Sequence, residues 1–402
     1  MTSRPRLLVF NQYYWPGVEA TAFLLSELCR GLADDFEITV ITGKLRYSPN
    51  EPTIVHDGVT IIRVPSTTFF RANLALRALN YVTYLLGSLM VGLQRPRPDV
   101  VFCMTDPPII ANVAMVIARR FRAPLVVVSQ DVFPEIAVEL QRLKNPLVVA
   151  FLRRAIGFYL RRADRVVAIG ETMRKRLEQK GGRADRMVVI PNWVDTHTLV
   201  PQPRDNNWAR EYGFDDRFVV MHSGNIGHAQ NLDALVRAAT FLRDLDNLTI
   251  ALVGDGARRP ELIELAEVLE VDDQVRFLPY QDRKVLAYSL SSADIHVVGL
   301  AGGLSGYVVP SRLYGILSVG KPVIVAADAE SETAQLVAEV GCGLVLPPGR
   351  PELLATAIRA AHDGELDLAA MGAKGREYVT QHADRSVAVG RYRTLLREVG
   401  AA

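Results

Sequence analysis

The chain has 402 residues, of which 49% are hydrophobic and 22% are charged, with a formal net charge of +2. This length predicts two domains, each large enough for its own core, and the composition excludes a disordered or fibrous protein. The near-neutral balance gives no overall positive field of the kind that favours nucleic acid.

Cysteine usage indicates a reducing compartment. Cys29, Cys103 and Cys342 are odd in number and far apart, which argues against a disulfide framework or a zinc site. The first apolar run, at 7–10, is too short for a signal peptide, so we expect none.

The first half alternates short apolar runs with segments of helical length. Continuous apolar runs are typical of strands buried on both faces of a parallel sheet, and 20–32 and 171–180 are predicted helices between them. The pattern therefore predicts parallel βαβ units. The predicted strands are 7–11, 38–42, 59–64, 100–104, 125–129, 166–169 and 188–190.

Residues 191–216 break this pattern with prolines, asparagines and aspartates, and they are interpreted as a linker. A second alternation follows, so we predict an α/β fold of two doubly wound, Rossmann-like domains at 1–195 and 214–376. A last predicted helix, within 377–402, could return to pack on the first domain. The predicted strands of the second half are 219–222, 248–253, 275–278, 295–298, 322–326 and 343–346.

Special turns follow four successive strands of the second half, at the strand ends where parallel sheets bind ligands. Gly224 and Gly227 allow a tight turn before a helix, whose first N–H groups suit an anion. A plain connecting turn is the alternative at each place, but the four together predict a phosphate and nucleotide cradle. The other turns are 254–256 (GDG, beginning with Gly254), 279–282 (PYQD) and the glycine-rich stretch 302–306.

The glycine-rich stretch is followed closely by a predicted helix. Its bare backbone, with Gly303, Ser305 and Gly306, lets a diphosphate and a sugar approach closely. A helix start near Ser311 supplies N–H donors and partial positive charge. Arg312 adds a guanidinium that matches phosphate. A solvated surface arginine is the alternative, but the preceding loop favours the phosphate role.

The order and spacing of several motifs resemble those of a known family. Over nearly its whole length the chain is similar to retaining glycosyltransferases of the GT-B architecture, close to the bacterial O-antigen, capsule and colanic-acid enzymes (glycosyltransferase family 4-like). The motifs are NQYYWPGVEATAFLLSEL, SQDVFPE with KNPL, YLRRADRVVAIGE, VIPNWVD, SGNIGHAQNLDALVRAA, LVGDGARRPEL and VPSRLYGILSVGKPVI.

The resemblance implies two Rossmann-like domains that face across a cleft, the C-terminal one for a nucleotide-diphosphate sugar and the N-terminal one for an acceptor. UDP is the default nucleotide, with GDP behind it. Gly17 would lie beneath the donor phosphates. Gly224 and Asn225 would line the diphosphate pocket. The turn at Pro279 and Tyr280 would meet the base through its backbone.

The sequence departs from the family at two places. Asn225 and Gln230 stand where many relatives have an arginine and a lysine. Tyr307 and Gly315 stand where relatives have two glutamates, one of which reaches the ribose. Glu332 is a candidate ribose partner in their place, or alternatively a carboxylate that the helix dipole stabilises.

The resemblance also implies retaining, front-face transfer, in which the leaving phosphate helps to deprotonate the acceptor hydroxyl. Catalysis is then positioning and neutralisation of charge on the leaving diphosphate, which makes Arg312 the predicted catalytic cation. Asp131, in SQDVFPE, is a candidate catalytic base, and both Asp131 and Glu135 are candidate acceptor contacts. Asp131 could instead cap the next helix.

No cofactor or metal is expected, because the seven histidines are scattered without ligand spacing. The expected partners are a nucleotide sugar and a lipid-linked or saccharide acceptor, with no nucleic acid.

Two segments suit an anionic membrane surface. Residues 78–94 are uncharged but fall short of the roughly 20 residues that span a bilayer, so we expect a buried or membrane-touching helix. Residues 146–162 carry two arginine pairs eight residues apart, on one side of a predicted helix. Peripheral attachment to the cytoplasmic leaflet of the plasma membrane follows; an ordinary domain helix with a solvated basic face is equally open.

Two other functions stay open on the sequence. A nucleotide-sugar 2-epimerase has the same architecture, although it is expected to place more titratable residues around the cleft. A non-catalytic nucleotide-sugar-binding subunit is suggested by the missing glutamate pair. A Rossmann dehydrogenase is disfavoured because no GxGxxG follows the first strand.

Overall fold

The computed structural model describes residues 4–17, 19–45, 51–68 and 74–401. By its contacts the chain divides into two compact units. The N-terminal unit is Met1–Pro191 with Arg385–Ala402, and the C-terminal unit is Asn192–Asp384. Each contains a largely parallel sheet with helices, which confirms the predicted α/β fold with two Rossmann-like domains.

The sheet of the N-terminal unit has eight strands. They are β1 (Arg6–Phe10), β2 (Glu37–Thr42), β3 (Thr53–His56), β4 (Val59–Arg63), β5 (Val100–Met104), β6 (Leu125–Ser129), β7 (Arg165–Ala168) and β8 (Met187–Val189). Their order is β3-β4-β2-β1-β5-β6-β7-β8, and only the edge pair β3–β4 is antiparallel. Strand β3 is not among the predicted strands, because a half-exposed edge strand lacks the continuous apolar run of a buried one.

Helices α1 to α6 connect these strands. They are α1 (Ala20–Leu32), α2 (Leu74–Leu93), α3 (Ile110–Phe121), α4 (Glu135–Glu139), α5 (Pro146–Leu160) and α6 (Glu171–Gln179). The start of α5 follows from its sequence: the Asn145 side chain accepts hydrogen bonds from the N–H groups of Leu147 and Val148, and Pro146 occupies the first turn, where no N–H partner is needed.

The sheet of the C-terminal unit has six strands, all parallel. They are β9 (Phe218–Ser223), β10 (Leu248–Val253), β11 (Val275–Leu278), β12 (Ile295–Gly299), β13 (Val323–Ala326) and β14 (Gly343–Leu346). Their order is β11-β10-β9-β12-β13-β14. The helices are α7 (Asn207–Glu211), α8 (Asp233–Ala238), α9 (Arg259–Val268), α10 (Arg283–Ser291), α11 (Arg312–Ser318), α12 (Glu332–Val340), α13 (Pro351–His362) and α14 (Leu368–His382).

The segment interpreted as a linker differs from that expectation in its second half. Asn206 caps α7 by accepting from the N–H groups of Trp208 and Ala209. Trp208 and Phe214 are then buried in a core cluster of the C-terminal unit. This short helix was not predictable from the prolines and asparagines around it, because the same residue types cap helices and occur in linkers.

The single helix predicted at the C-terminus is two helices. The helix is interrupted after α14, and the next helix, α15 (Arg385–Ala401), belongs to the N-terminal unit. At the break, the Asp384 carboxylate accepts from the N–H and hydroxyl of Thr196. Helix α15 packs against α1, where Arg393 pairs with Asp35 at 2.6 Å.

Candidate functional site

The sheet order of the C-terminal unit places a candidate ligand site between β9 and β12. Strands are added to one side from β9 to β11 and to the other from β12 to β14, so the loops after β9 and β12 diverge. In parallel α/β sheets ligands bind at this switch point, beyond the carboxyl ends of the strands. The predicted glycine turns lie at this edge.

The loop after β9 lies directly against the loop after β10. Gly224 has a φ of +132° and donates its N–H to the carbonyl of Val253 at 2.9 Å. A Cβ on Gly254, whose φ is +144°, would lie 1.9 Å from the carbonyl oxygen of Gly224. Gly254 therefore allows the two loops to pack, and its contribution to a ligand site is indirect.

Asn225 is exposed at the tip of the β9 loop. Its side-chain amide lies 3.4 Å from the Oε1 atom of Gln230, and that oxygen accepts from the N–H of Gly227 at 3.0 Å. Asn225 and Gln230, one of the two pairs at which the sequence departs from the family, thus contact each other, and Gln230 holds the backbone of the loop at Gly227.

The glycine-rich loop after β12 is held by Asp328, which follows β13. One carboxylate oxygen of Asp328 accepts from the N–H of Gly303 at 2.8 Å and from the Ser305 hydroxyl at 3.3 Å. Gly303 and Gly306 both have positive φ values, +80° and +77°, which glycine adopts readily. The Gly303 N–H is therefore already hydrogen-bonded to the Asp328 carboxylate in this structure. The loop would contribute to a ligand site more by the open space beside its glycines than by this N–H donor.

Helix α11 begins at Arg312, one residue after the start expected from the sequence. Ser311 precedes it and makes no side-chain capping bond. Leu313, Ile316 and Leu317 are buried, so the helix is anchored by its apolar side while its first residue lies at the sheet edge.

The Arg312 guanidinium lies against the β9 loop. Its Nη2 atom donates to the carbonyl of Asn225 at 3.4 Å, and a Cβ on Gly224 would lie 3.2 Å from its Cζ atom. Its Nη1 atom contacts the His222 imidazole. Burial lowers the pKa of Arg312 to about 10, so the group is still a cation at neutral pH.

The turn after β11 is exposed at Pro279 and Tyr280. Gln281 fixes it from both sides: its amide donates to the Pro279 carbonyl at 2.9 Å and its oxygen accepts from the Trp208 indole at 2.8 Å. Asp282 then caps α10 by accepting from the N–H of Lys284. The backbone of this turn is thus presented at the same edge as the β9 and β10 loops.

Glu332 is the first residue of α12, after β13. Ser331 caps this helix by accepting from the N–H of Ala334. A carboxylate at a helix N-terminus is stabilised by the helix dipole. The position of Glu332 is therefore compatible with that purely structural role, and its contact with the ribose stays a prediction.

The N-terminal unit contains the donor candidate Gly17 and the acceptor candidates Asp131 and Glu135. Gly17 closes a turn after β1 by donating to the Tyr14 carbonyl at 2.8 Å, and a Cβ there would lie 2.9 Å from that oxygen. Asp131 follows β6, and it does not cap α4, whose cap position is Pro134. Asp131 is exposed at the surface, and the protein packed around its carboxyl raises the pKa of that group to about 6 by desolvation.

Glu135 is engaged by basic side chains. Its carboxylate pairs with Arg153 at 3.1 Å and with Lys180, and its side chain is 15% exposed. These pairs join α4 to α5 and to the end of α6. Its acceptor role stays a prediction, and in this structure both carboxylate oxygens have protein partners.

Two residues of the site were not assigned a role from the sequence. They are His222 and Asp328. Both stand at or just after the carboxyl end of a strand, so the rule that selected the glycine turns could have selected them. Within the described ranges, no three His, Cys, Asp or Glu residues are grouped in a way that could hold a metal ion.

Two family models match the chain. Residues 21–193 match the Glycosyl transferase 4-like domain, and residues 205–378 match Glycosyl transferases group 1. Together they span most of the chain, which belongs to the GT-B glycosyltransferases that combine these two domains.

Named relatives agree with this class. The chain is 28% identical to "Probable glycosyltransferase WbjE" of Pseudomonas aeruginosa over 317 residues, or 78% of each protein. It is 29% identical to "Putative colanic acid biosynthesis glycosyl transferase WcaI" of Escherichia coli (strain K12) over 230 residues, which cover 56% of this chain and about half (55%) of that protein. Anabaena Alr3699/HepE, solved in complex with UDP-glucose, shares the fold with a TM-score of 0.76 at 17% identity, over 98% of this chain and 99% of that one.

Proposed function

We propose that the chain is a retaining glycosyltransferase that moves a sugar from a UDP-linked donor to a hydroxyl group of a lipid-linked or saccharide acceptor in cell-surface polysaccharide synthesis. The observation that carries the proposal is the Arg312 guanidinium, held at the switch point of the C-terminal sheet beside the bare backbone of Gly224. A planar cation with several N–H donors matches the oxygens of a diphosphate. The structure of HepE, which has the same fold, was solved in complex with UDP-glucose, and this supports the choice of UDP.

Arg312 would act when the bond between the sugar and the diphosphate breaks. Negative charge then grows on the leaving phosphate, and a cation fixed in advance stabilises that charge without having to reorganise. The same charge makes the phosphate a base that can take the proton of the acceptor hydroxyl.

The carboxylates at this edge support a front-face path. Asp255, Asp282 and Asp328 each accept a backbone N–H, of Gly256, Lys284 and Gly303 respectively. A carboxylate used in this way holds a loop or a helix end, so this structural role accounts for each of the three and none has to be assigned as a nucleophile. Retention through the leaving phosphate needs no protein nucleophile. Asp131 is the proposed partner of the acceptor hydroxyl.

The first test measures donor binding. Thermal shift and titration calorimetry with UDP, GDP and their sugars should show UDP binding, with stabilisation that rises with concentration. Arg312→Ala should weaken UDP binding and lower turnover at saturating donor by about 10²–10³, while the melting temperature without ligand changes little. Near-normal turnover in Arg312→Ala would remove Arg312 from the site.

The second test reads the product. Proton NMR of the transferred sugar should show the anomeric configuration of the donor, whereas an inverted product would contradict the retaining mechanism. Donor incubated without acceptor should stay unchanged apart from slow hydrolysis. Conversion to an isomer would instead indicate an epimerase, and binding without transfer to any acceptor would indicate a non-catalytic subunit.

The proposal includes a peripheral membrane site on the N-terminal unit. Helix α2 buries one side, including Tyr84, and exposes five apolar side chains at helical spacing on the other. They are Leu79, Val82, Leu86, Met90 and Leu93, between 41% and 64% exposed. Within the described residues, no helix is both long enough and apolar enough to cross a bilayer.

The neighbouring helices extend this surface. Helix α3 packs against both α2 and α5, and on α5 Leu147 and Phe151 are 79% and 64% exposed. No acidic residue occurs in α2, α3 or α5, and Arg119, Arg120 and Arg154 are exposed. Apolar side chains with exposed arginines and no acidic residues suit an anionic lipid surface.

One part of the expectation for 146–162 is wrong. Helix α5 ends at Leu160, so Arg161 and Arg162 do not lie on it with the first pair. Arg162 lies over the Phe158 ring at 4.0 Å, and Arg153 pairs with Glu135. The apolar side chains therefore carry more of the proposed membrane contact than the arginine pairs do.

Vesicle co-sedimentation tests this surface. The protein should bind vesicles of phosphatidylcholine with phosphatidylglycerol more than vesicles of phosphatidylcholine alone, and Met90→Ser with Phe151→Ser should reduce that binding. Val268→Ser is the matched control, because Val268 is 72% exposed but lies on the C-terminal unit. Equal binding by the double variant and the control would reject the surface.

A further inference from the structure

His222 is a fully buried histidine whose ring meets the guanidinium of Arg312. It lies in β9, one residue before the strand ends, with no exposed surface. Its Nδ1 atom is 3.3 Å from the carbonyl oxygen of Val297 on the neighbouring strand β12. Its Nε2 atom is contacted by Nη1 of Arg312.

These contacts determine which ring nitrogen carries the proton. Two backbone carbonyls face the ring at similar distances, Val297 at Nδ1 (3.3 Å) and Asn225 at Nε2 (3.4 Å), so the carbonyls alone favour neither tautomer. The Arg312 contact decides between them: Nη1 is closer to Nε2 than to Nδ1, and a guanidinium can only donate, so Nε2 carries the lone pair and Nδ1 carries the proton that is donated to Val297. Burial and the charge of Arg312 hold the pKa of His222 well below its ordinary range, so the ring stays neutral and keeps its acceptor at physiological pH.

The guanidinium is thereby oriented by two acceptors on the β9 side of the site. Nη1 is fixed by the His222 ring and Nη2 by the carbonyl of Asn225. The other N–H groups of the guanidinium are not used in these two hydrogen bonds. An arginine side chain has several rotatable bonds and loses rotamer freedom when it is ordered, so two fixed acceptors prepare it for a ligand in advance.

We propose that His222 is a positioning residue that orients the Arg312 guanidinium toward the diphosphate of the nucleotide sugar. The inference rests on the proposed function, since it assigns the diphosphate to Arg312. His222 itself is enclosed and acts through Arg312, so it is not expected to touch the donor.

The competing explanation is that His222 only fills the core. His296 provides the comparison, because it is also fully buried, on β12 of the same sheet, and its Nε2 atom lies 2.9 Å from the carbonyl of Leu290. Among the described residues, the hydrogen bonds of Arg312 go to His222 and Asn225 and not to His296. If burial alone mattered, changes at the two histidines would have similar effects on ligand binding.

Two substitutions separate orientation from core filling. In His222→Gln the side-chain carbonyl reaches about as far as Nε2 and can still accept from Arg312. In His222→Asn the side chain is shorter and can replace Nδ1 but not Nε2. We expect UDP affinity to change less than threefold in the first variant and to fall about tenfold in the second, as for loss of a hydrogen bond to a charged group.

The same variants in an Arg312→Ala background give the decisive measurement. If His222 acts through Arg312, His222→Asn should have no further effect on the UDP dissociation constant once Arg312 is gone. His296→Asn should leave UDP affinity within about twofold of the wild type in either background, even if it lowers the melting temperature. A tenfold effect of His222→Asn in both backgrounds would overturn the inference and leave the role of Arg312 intact.

Failure of the underlying function looks different. If Arg312→Ala by itself leaves UDP affinity unchanged, the diphosphate assignment falls, and the role of His222 falls with it. If His222→Asn does not fold, His222→Leu takes its place, because leucine fills a similar volume and offers no acceptor: a tenfold loss of affinity in His222→Leu that is absent in the Arg312→Ala background supports the proposal, and a tenfold loss of affinity in folded His222→Gln contradicts it.

Discussion

The packing of the β9 and β10 loops makes a quantitative prediction for Gly254→Ala. An alanine there meets two separate penalties. The first is a φ of +144°, which L-residues rarely adopt and which costs about 1–3 kcal/mol. The second is the overlap of its Cβ, 1.9 Å from the Gly224 carbonyl oxygen, which the backbone relieves only by moving the loop. Overpacking of this kind typically costs about 1–3 kcal/mol more.

Gly364→Ala isolates the first penalty. Gly364 also has a positive φ, +77°, but a Cβ there would meet nothing within 4 Å. It lies in the same C-terminal unit, so both variants report on one folding unit. We expect Gly364→Ala to lose about 1–2 kcal/mol of unfolding free energy and Gly254→Ala to lose about 3 kcal/mol or more.

Urea unfolding measures the loss of unfolding free energy in both variants, and hydrogen exchange of the β9 and β10 amides measures the local loss of stability. Since Gly224 lies beside Arg312, Gly254→Ala should also weaken UDP binding under conditions where it is folded, whereas Gly364→Ala should not. Equal losses of stability in the two variants would refute the close backbone approach on which this description of the site depends.

Three further outcomes are expected. With the Asp131 carboxylate as the hydrogen-bond acceptor that holds the acceptor hydroxyl, kcat/KM should fall below about pH 6, because the protonated carboxyl holds that hydroxyl less well; in Asp131→Asn this acid limb should disappear with a large loss of rate, and an unchanged limb would assign it to another group. Asp328→Ala removes the acceptor of the Gly303 N–H and should weaken UDP binding about tenfold, while Asp244→Ala, which breaks an exposed ion pair in the same unit, should not. The three cysteines are buried with raised thiol pKa values, so a thiol reagent should label the folded protein far more slowly than the urea-unfolded chain; rapid labelling of the folded protein would contradict their burial.

The candidate site consists mainly of backbone and of side chains that hold backbone. Gly254 lets two loops pack, Asp328 ties the glycine-rich loop to β13, and Arg312 is held by the β9 loop. A site of this kind depends on preorganisation, because its donors are useful only in the orientation that the loops enforce.

The sequence predicted the sheets well because buried parallel strands are continuous apolar runs. The predicted bounds of β5, β6, β10, β11 and β14 agree with the structure. The exceptions share a physical cause. Strand β3 is a half-exposed edge, α7 is capped by residues that also occur in linkers, and the break before α15 is made by the distant contact of Asp384 with Thr196.

Candidate site residues were predictable where they depend on chain order. A turn after a parallel strand lies at the ligand edge whatever its side chains do, so Gly224 and the stretch 302–306 could be placed from spacing alone. Their partners could not be placed, because a hydrogen bond between residues 90 apart, as between His222 and Arg312, leaves no periodic signal.

By itself, the sequence determined the alternation of strands and helices, the two Rossmann-like domains and the edge at which a ligand would bind, because these follow from local apolar patterns and turns. Only the tertiary structure decided which polar groups already have partners: Gly303 with Asp328, Glu135 with Arg153 and Lys180, and Arg312 with His222. Those pairings join residues that are distant along the chain, and they exist only once the sheets have brought the loops together.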